Sequence, residues 1–158
     1  MRLVPEDRRD SDQQGEAIAE AVRTHLRFGW IGLLVFATFG AVLEALHAWK
    51  SDAYLGPGNE TRRLMWTLAH AHGIGLSLLQ IGFAATLKLQ FGSISLRLQR
   101  ASKLLRWATL LLPGGFLLGG IVPYDGDPGA GVLLAPIGAL LLLACILLVV
   151  LDLKSGKH

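Results

Sequence analysis

One cysteine, Cys145, stands in the whole chain, so no internal disulfide can form. The same scarcity removes the Cys-x-x-Cys-His attachment of a c-type haem. No phosphate-binding Walker loop, dinucleotide-binding glycine motif or nucleophile elbow occurs, and no internal repeat emerges. Charge is missing from long stretches. Four apolar blocks, Phe28–Trp49, Leu64–Phe91, Leu104–Val122 and Ala130–Leu151, hold few Asp, Glu, Lys or Arg. A soluble core does not need apolar runs of that length, whereas a bilayer needs about 20 residues of helix. Hydrophobic residues make up 52% of the 158, and mean hydropathy is +0.47, both above ordinary soluble composition.

These blocks predict an all-α fold, an integral membrane four-helix bundle with an N-terminal amphipathic interfacial helix. The polar leader "MRLVPEDRRDSDQQGEAIAEAVRTHLR" mixes acids and bases and shows no small-residue cleavage pattern, so the first block reads as an uncleaved anchor. Residues 1–15 are expected to form a disordered cytoplasmic leader, and 16–158 a single membrane domain. From Glu16, Ile18, Val22 and Leu26 recur every four residues, which places an amphipathic helix on the membrane surface leading into the first span.

The net charge of +3 does not call for nucleic acid, because membrane topology accounts for its distribution. Of the 15 Lys and Arg, Lys50, Arg62 and Arg63 fall in the first connecting loop and none in the third. The others sit in the leader, around the second loop or after the fourth block. Positive charge stays inside. Both termini are therefore expected in the cytoplasm, with the protein in a bacterial inner membrane. In the second loop Arg97, Arg100, Lys103 and Arg106 recur at helical spacing and suit anionic head groups, each contributing about 1 kcal/mol. In the third block Pro113 interrupts the helical bond ladder, and Gly115 and Gly119 form a small-xxx-small pair suited to helix packing. The fourth block, nearly all leucine and valine, reads as a wall facing lipid. The triplet Asn59-Glu60-Thr61 is a weak glycosylation signal.

Ionisable residues inside such blocks cost a few kcal/mol each and mark candidate sites. Glu44 and His47 lie toward the end of the first block, and His70 and His72 near the start of the second. At about 1.5 Å per residue all four lie roughly 8–12 Å or less below the outer helix ends, in one layer. Glu44 and His47, three residues apart, share a face. His70 and His72 do not, since two residues on a helix are separated by about 200°. Trp66, His70, Gly73, Ser77, Gln80 and Ala84 form a polar stripe, and His72, Gly75, Leu79, Gly82 and Thr86 a stripe containing two glycines. His25 reads as a surface histidine.

The segment "LAHAHGIGL" resembles the helix of haem–copper oxidase subunit I in which two histidines, one residue apart, ligate two haems on opposite faces. It is also similar to His-x-His-Gly helices of small bacterial four-helix membrane proteins. The resemblance covers about nine residues and implies that His70 and His72 serve as axial ligands of haem b. The rest of the oxidase pattern is missing, so it does not imply oxygen reduction. Read from the residues alone, Glu44, His47 and one of His70 or His72 would suit copper, iron or zinc, with Asp125 or Asp127 of the third loop completing the shell.

The expected function is thus a redox or electron-transfer protein with a histidine and carboxylate site near the outer face. An accessory subunit of a larger membrane complex is the alternative, and a small proton- or ion-conducting protein a third. The same polar residues could also form a purely structural cluster. Because the histidines face two ways, one site is expected at an interface with a second copy, making a homo-oligomer.

Overall fold

In the computed structural model the described residues are 6–155, with side chains described from 13 onward. All regular structure among them is helical. Helix α1 spans Glu6–Ala48, α2 Asp52–Leu55, α3 Glu60–Gln90, α4 Leu96–Gly119 and α5 Leu134–Ser155, the last preceded by a 3-10 turn at Ala130–Leu133. A single antiparallel bridge, Tyr124 with Asp127, closes the loop before that turn.

Three of these helices are long and apolar enough to cross a membrane: Gln13–Ala48 within α1, Glu60–Gln90, and Ala130–Ser155. The third apolar block, expected as a span over Leu104–Val122, does not join them. Its helix starts at Leu96 and carries Arg97, Arg100, Lys103 and Arg106 in its first half. Its charge-free part begins only after Arg106, and the helix ends at Gly119.

The leader also departs from expectation. Instead of a disordered segment followed by a separate surface helix, α1 is continuous from Glu6 to Ala48, about 65 Å at helical rise. No proline falls between Pro5 and Pro57, so nothing breaks the bond ladder. Ala21 and Val22 pack against a core of Phe83, Leu87, Leu98, Ala101 and Leu105. The leader helix thus extends the bundle. Residues 1–5 lie outside the described residues.

The principal interfaces run in series, α1 on α3, α3 on α4, and α4 on α5. All three are antiparallel: His25 meets Gln80 while Phe36 meets His70, Gln80 meets Thr109 while Trp66 meets Leu117, and Leu112 meets Gly138 while Gly115 meets Ala135. Consequently α1 and α4 run parallel. Close backbone approach holds the outer two interfaces. A Cβ on Gly29 of α1 would stand 2.8 Å from the Ser77 carbonyl oxygen, and one on Gly138 of α5 would stand 2.5 Å from Leu112 N. Gly115 approaches Ala135 N in the same way, at 2.5 Å, and Gly119 packs on Val132. The glycines of the third block therefore pack a helix, as their spacing suggested.

Helix ends have local causes. Ser95 caps α4, its Oγ accepting from Leu98 N at 3.1 Å and donating to Asp152 Oδ1 at 2.8 Å. One serine thus starts α4 and pins the end of α5, where Asp152 is buried. At the opposite end Arg62 donates to the carbonyls of Ala53, Gly120 and Ile121 and lies over the Trp66 ring. Those bonds seal α2, α3 and the end of α4 together. Pro113 is buried within α4, which continues through it.

Candidate functional site

The two histidines of α3 point apart, as their spacing requires. His70 faces α1, where its ring lies against Gly40 and its Nδ1 donates to the Phe36 carbonyl at 2.8 Å. A Cβ at position 40 would collide with that ring, so the glycine is what admits the imidazole. His72 faces the other way. Its Nδ1 donates to the Leu68 carbonyl at 2.8 Å, and its ring lies 5.0 Å from that of Phe116. Carbonyl oxygens only accept, so in both rings the Nδ1 carries the proton and the Nε2 holds a lone pair. Neither Nε2 makes a hydrogen bond among the described residues.

His70 lines a cavity of about 220 Å³ together with Gly40, Leu43, Glu44, His47, Tyr54 and Thr67. The expected layer of Glu44, His47 and His70 thus shares one depression. Glu44 and His47 are exposed there, on the outside of α1. His72 is separate, and lines an open apolar depression of about 420 Å³ with Gly75, Leu76, Leu79 and Leu142. Among the described residues no three of His, Cys, Asp and Glu converge as a metal ion would require. Nor do Asp125 and Asp127 reach the depression: both are exposed at the tip of their loop, which Thr61 holds through the Gly126 carbonyl. The three-ligand shell expected from Glu44, His47 and a histidine, closed by a loop aspartate, is not assembled. Glu44 and His47 are exposed beside His70 rather than turned in upon it, His72 lies on the opposite face of α3, and the aspartate loop is turned outward.

The two stripes of α3 differ in burial. Gly73, Ser77, Gln80 and Ala84 are buried, whereas Gly75, Leu79 and Gly82 are exposed. A Cβ on Gly75 or Gly82 would meet nothing within 4 Å.

Sequence reasoning missed one polar centre. His25, expected at the surface, is fully buried among α1, α3 and α4. The Gln80 Nε2 donates to Thr109 Oγ1 at 2.9 Å, and that hydroxyl donates to the Leu105 carbonyl at 2.8 Å. This orients the amide so that its Oε1 accepts from His25 Nδ1, and His25 Nε2 accepts from Ser102 Oγ at 2.8 Å. The chain of bonds is complete with a neutral imidazole. With both nitrogens engaged and Phe83 edge-on at 4.6 Å, His25 joins helices and has no nitrogen left for a ligand. The available signal was its register. His25, Gly29, Gly32, Phe36, Gly40 and Leu43 fall at spacings of three or four, on the stripe that α1 turns to α3.

Compared with protein-family models, curated proteins and solved structures, the chain matches none. The functional reading therefore rests on the residues.

Proposed function

We propose that the protein is an integral four-helix membrane protein of the bacterial inner membrane that binds haem b or a transition metal through imidazole nitrogen, in a redox or electron-transfer role. All four long helices cross in this reading, with the bases of α4 at the cytoplasmic surface beside both termini, as the distribution of Lys and Arg favours. One observation carries the chemistry. At His70 and His72 a backbone carbonyl holds the Nδ1 proton and leaves the Nε2 lone pair free, which is how proteins orient imidazole ligands.

His72 fits the larger group better. Its depression is apolar, and Gly75 leaves the adjoining helix face flat. His70, beside Glu44 and His47 in the smaller polar depression, suits a metal ion at most. A bound haem would supply one-electron transfer, and His72 would hold it through Nε2. Among the described residues His72 is the imidazole on that face, so any further protein ligand to such a group would have to come from another copy or from a partner subunit.

Visible absorbance and elemental analysis of freshly purified protein test this reading. Stoichiometric haem or metal is expected, lost in His72→Ala and retained in His70→Ala for haem. A colourless, metal-free protein that keeps its helical content overturns it. The second reading, an accessory subunit, draws on the open glycines Gly75, Gly82 and Gly114, which leave flat helix surface for another chain. Its signature is a native mass in mild detergent that includes larger subunits.

A further inference from the structure

The crevice between α1 and α4 changes character along its length. At the basic end it is polar, a cavity of about 310 Å³ where Glu20 and Thr24 of α1 face Gln99, Ser102, Lys103 and Arg106 of α4. One helical turn further it becomes an apolar groove of about 300 Å³, lined by Phe28, Ile31 and Val35 of α1 and Leu110, Gly114 and Leu117 of α4. Because α1 and α4 run parallel, the two sections follow one another in the same order on both helices. They lie end to end along the same pair of helices, polar section and apolar section one turn apart.

Charge in the polar section is unbalanced. Lys103 and Arg106 stand against Glu20 alone, and no salt bridge joins them among the described residues. The Arg106 Nε is buried and has no hydrogen-bond partner among the described residues. Ser102 spends its proton on His25, while Thr24 Oγ1 and the Gln99 amide make no side-chain bond among the described residues. A buried guanidinium nitrogen without an acceptor is costly unless something supplies one. A phosphate oxygen would do so, since guanidinium and phosphate pair in charge and geometry.

We infer that this crevice binds an anionic phospholipid, its phosphate at Arg106 and Lys103 with Thr24 and Gln99 as further donors, and one acyl chain along the groove toward Leu117. The neighbouring Glu20 limits the site to a single phosphate charge and is the one group that opposes it. Diffuse attraction of a basic helix to an anionic surface would not need the apolar half, and a free phosphate would not use it. The inference requires the protein to lie in a bilayer and is independent of the histidine chemistry, so a colourless, metal-free preparation leaves it standing.

Native mass spectrometry of the full chain from nanodiscs of equal phosphatidylglycerol and phosphatidylethanolamine provides the test. One phosphatidylglycerol is expected to stay bound after detergent release. Arg106→Gln and Lys103→Gln each weaken it about fivefold, the equivalent of about 1 kcal/mol per base. Gly114→Leu fills the groove where a Cβ meets nothing within 4 Å, so it displaces the lipid while the fold persists. Glu20→Gln tightens binding. Equal retention of the zwitterionic lipid, or retention unchanged in both Arg106→Gln and Gly114→Leu, overturns the inference. Inorganic phosphate competing as well as the lipid would reduce the site to an ion site and overturn it too.

Discussion

His25 shows how much one side chain can do inside an apolar bundle. Its two nitrogens complete a chain of hydrogen bonds through Gln80, Thr109 and Ser102 that joins three helices. Removing it leaves the Gln80 oxygen and the Ser102 hydroxyl without their partners. Buried groups left unsatisfied cost about 1–3 kcal/mol in soluble proteins, and interhelical bonds in membranes average nearer 0.6 kcal/mol. His25→Leu should therefore destabilise the fold by about 1 kcal/mol, read as a lower unfolding midpoint in detergent micelles. Gln80→Leu should cost a similar amount, and the double variant less than the sum, because both changes break the same bond. Fully additive losses would mean the two side chains stabilise separate contacts. Ser77, which donates to the Gly73 carbonyl at 2.7 Å within its own helix, should tolerate alanine far better.

At the scale of the element, the glycines divide into two kinds. Gly29 and Gly138 sit where another backbone presses close, so a methyl group there forces α1 from α3 or α4 from α5. Gly82 faces open space on an exposed helix surface. Gly29→Ala is expected to destabilise by about 1–3 kcal/mol, the range for overpacking, whereas Gly82→Ala should gain up to about 1 kcal/mol of helix propensity. Thermal unfolding of the two variants side by side checks this contrast. The helices themselves were legible in the apolar runs, and the opposed stripes of α3 in its periodicity. The leader was not. Read residue by residue it is polar enough for a surface helix, but nothing in its sequence ends α1, and Ala21 and Val22 gain more by packing on Phe83 and Leu105 than by lying at an interface.

Among the described residues the four long helices pack in series, with α3 and α4 in the middle. Middle position accounts for α4, which is too basic over its first half to read as a free-standing span, yet has one face buried from Leu98 to Gly119 by its neighbours. If α4 crosses as in the proposed reading, its two flanking loops should lie on opposite sides of the membrane. With buried Cys145 replaced by serine, Ser93→Cys and Tyr124→Cys should be modified by an impermeant maleimide from opposite sides of sealed vesicles. Modification from one side only would mean that α4 does not cross. Exposed Leu140, Leu143 and Leu147 on α5 belong against acyl chains in this arrangement, as the uniform composition of that block suggested.

Apolar run length by itself determined that this chain is helical and membrane-suited, since no other backbone satisfies its own hydrogen bonds over such stretches. Helical geometry by itself determined that His70 and His72 diverge. Which polar groups meet was decided only by tertiary packing. Hydropathy is a property of one segment, whereas the burial of His25, the exposure of Glu44 and the alignment of the two sections between α1 and α4 depend on helix order, rotation and close approach at glycine, which no single segment encodes.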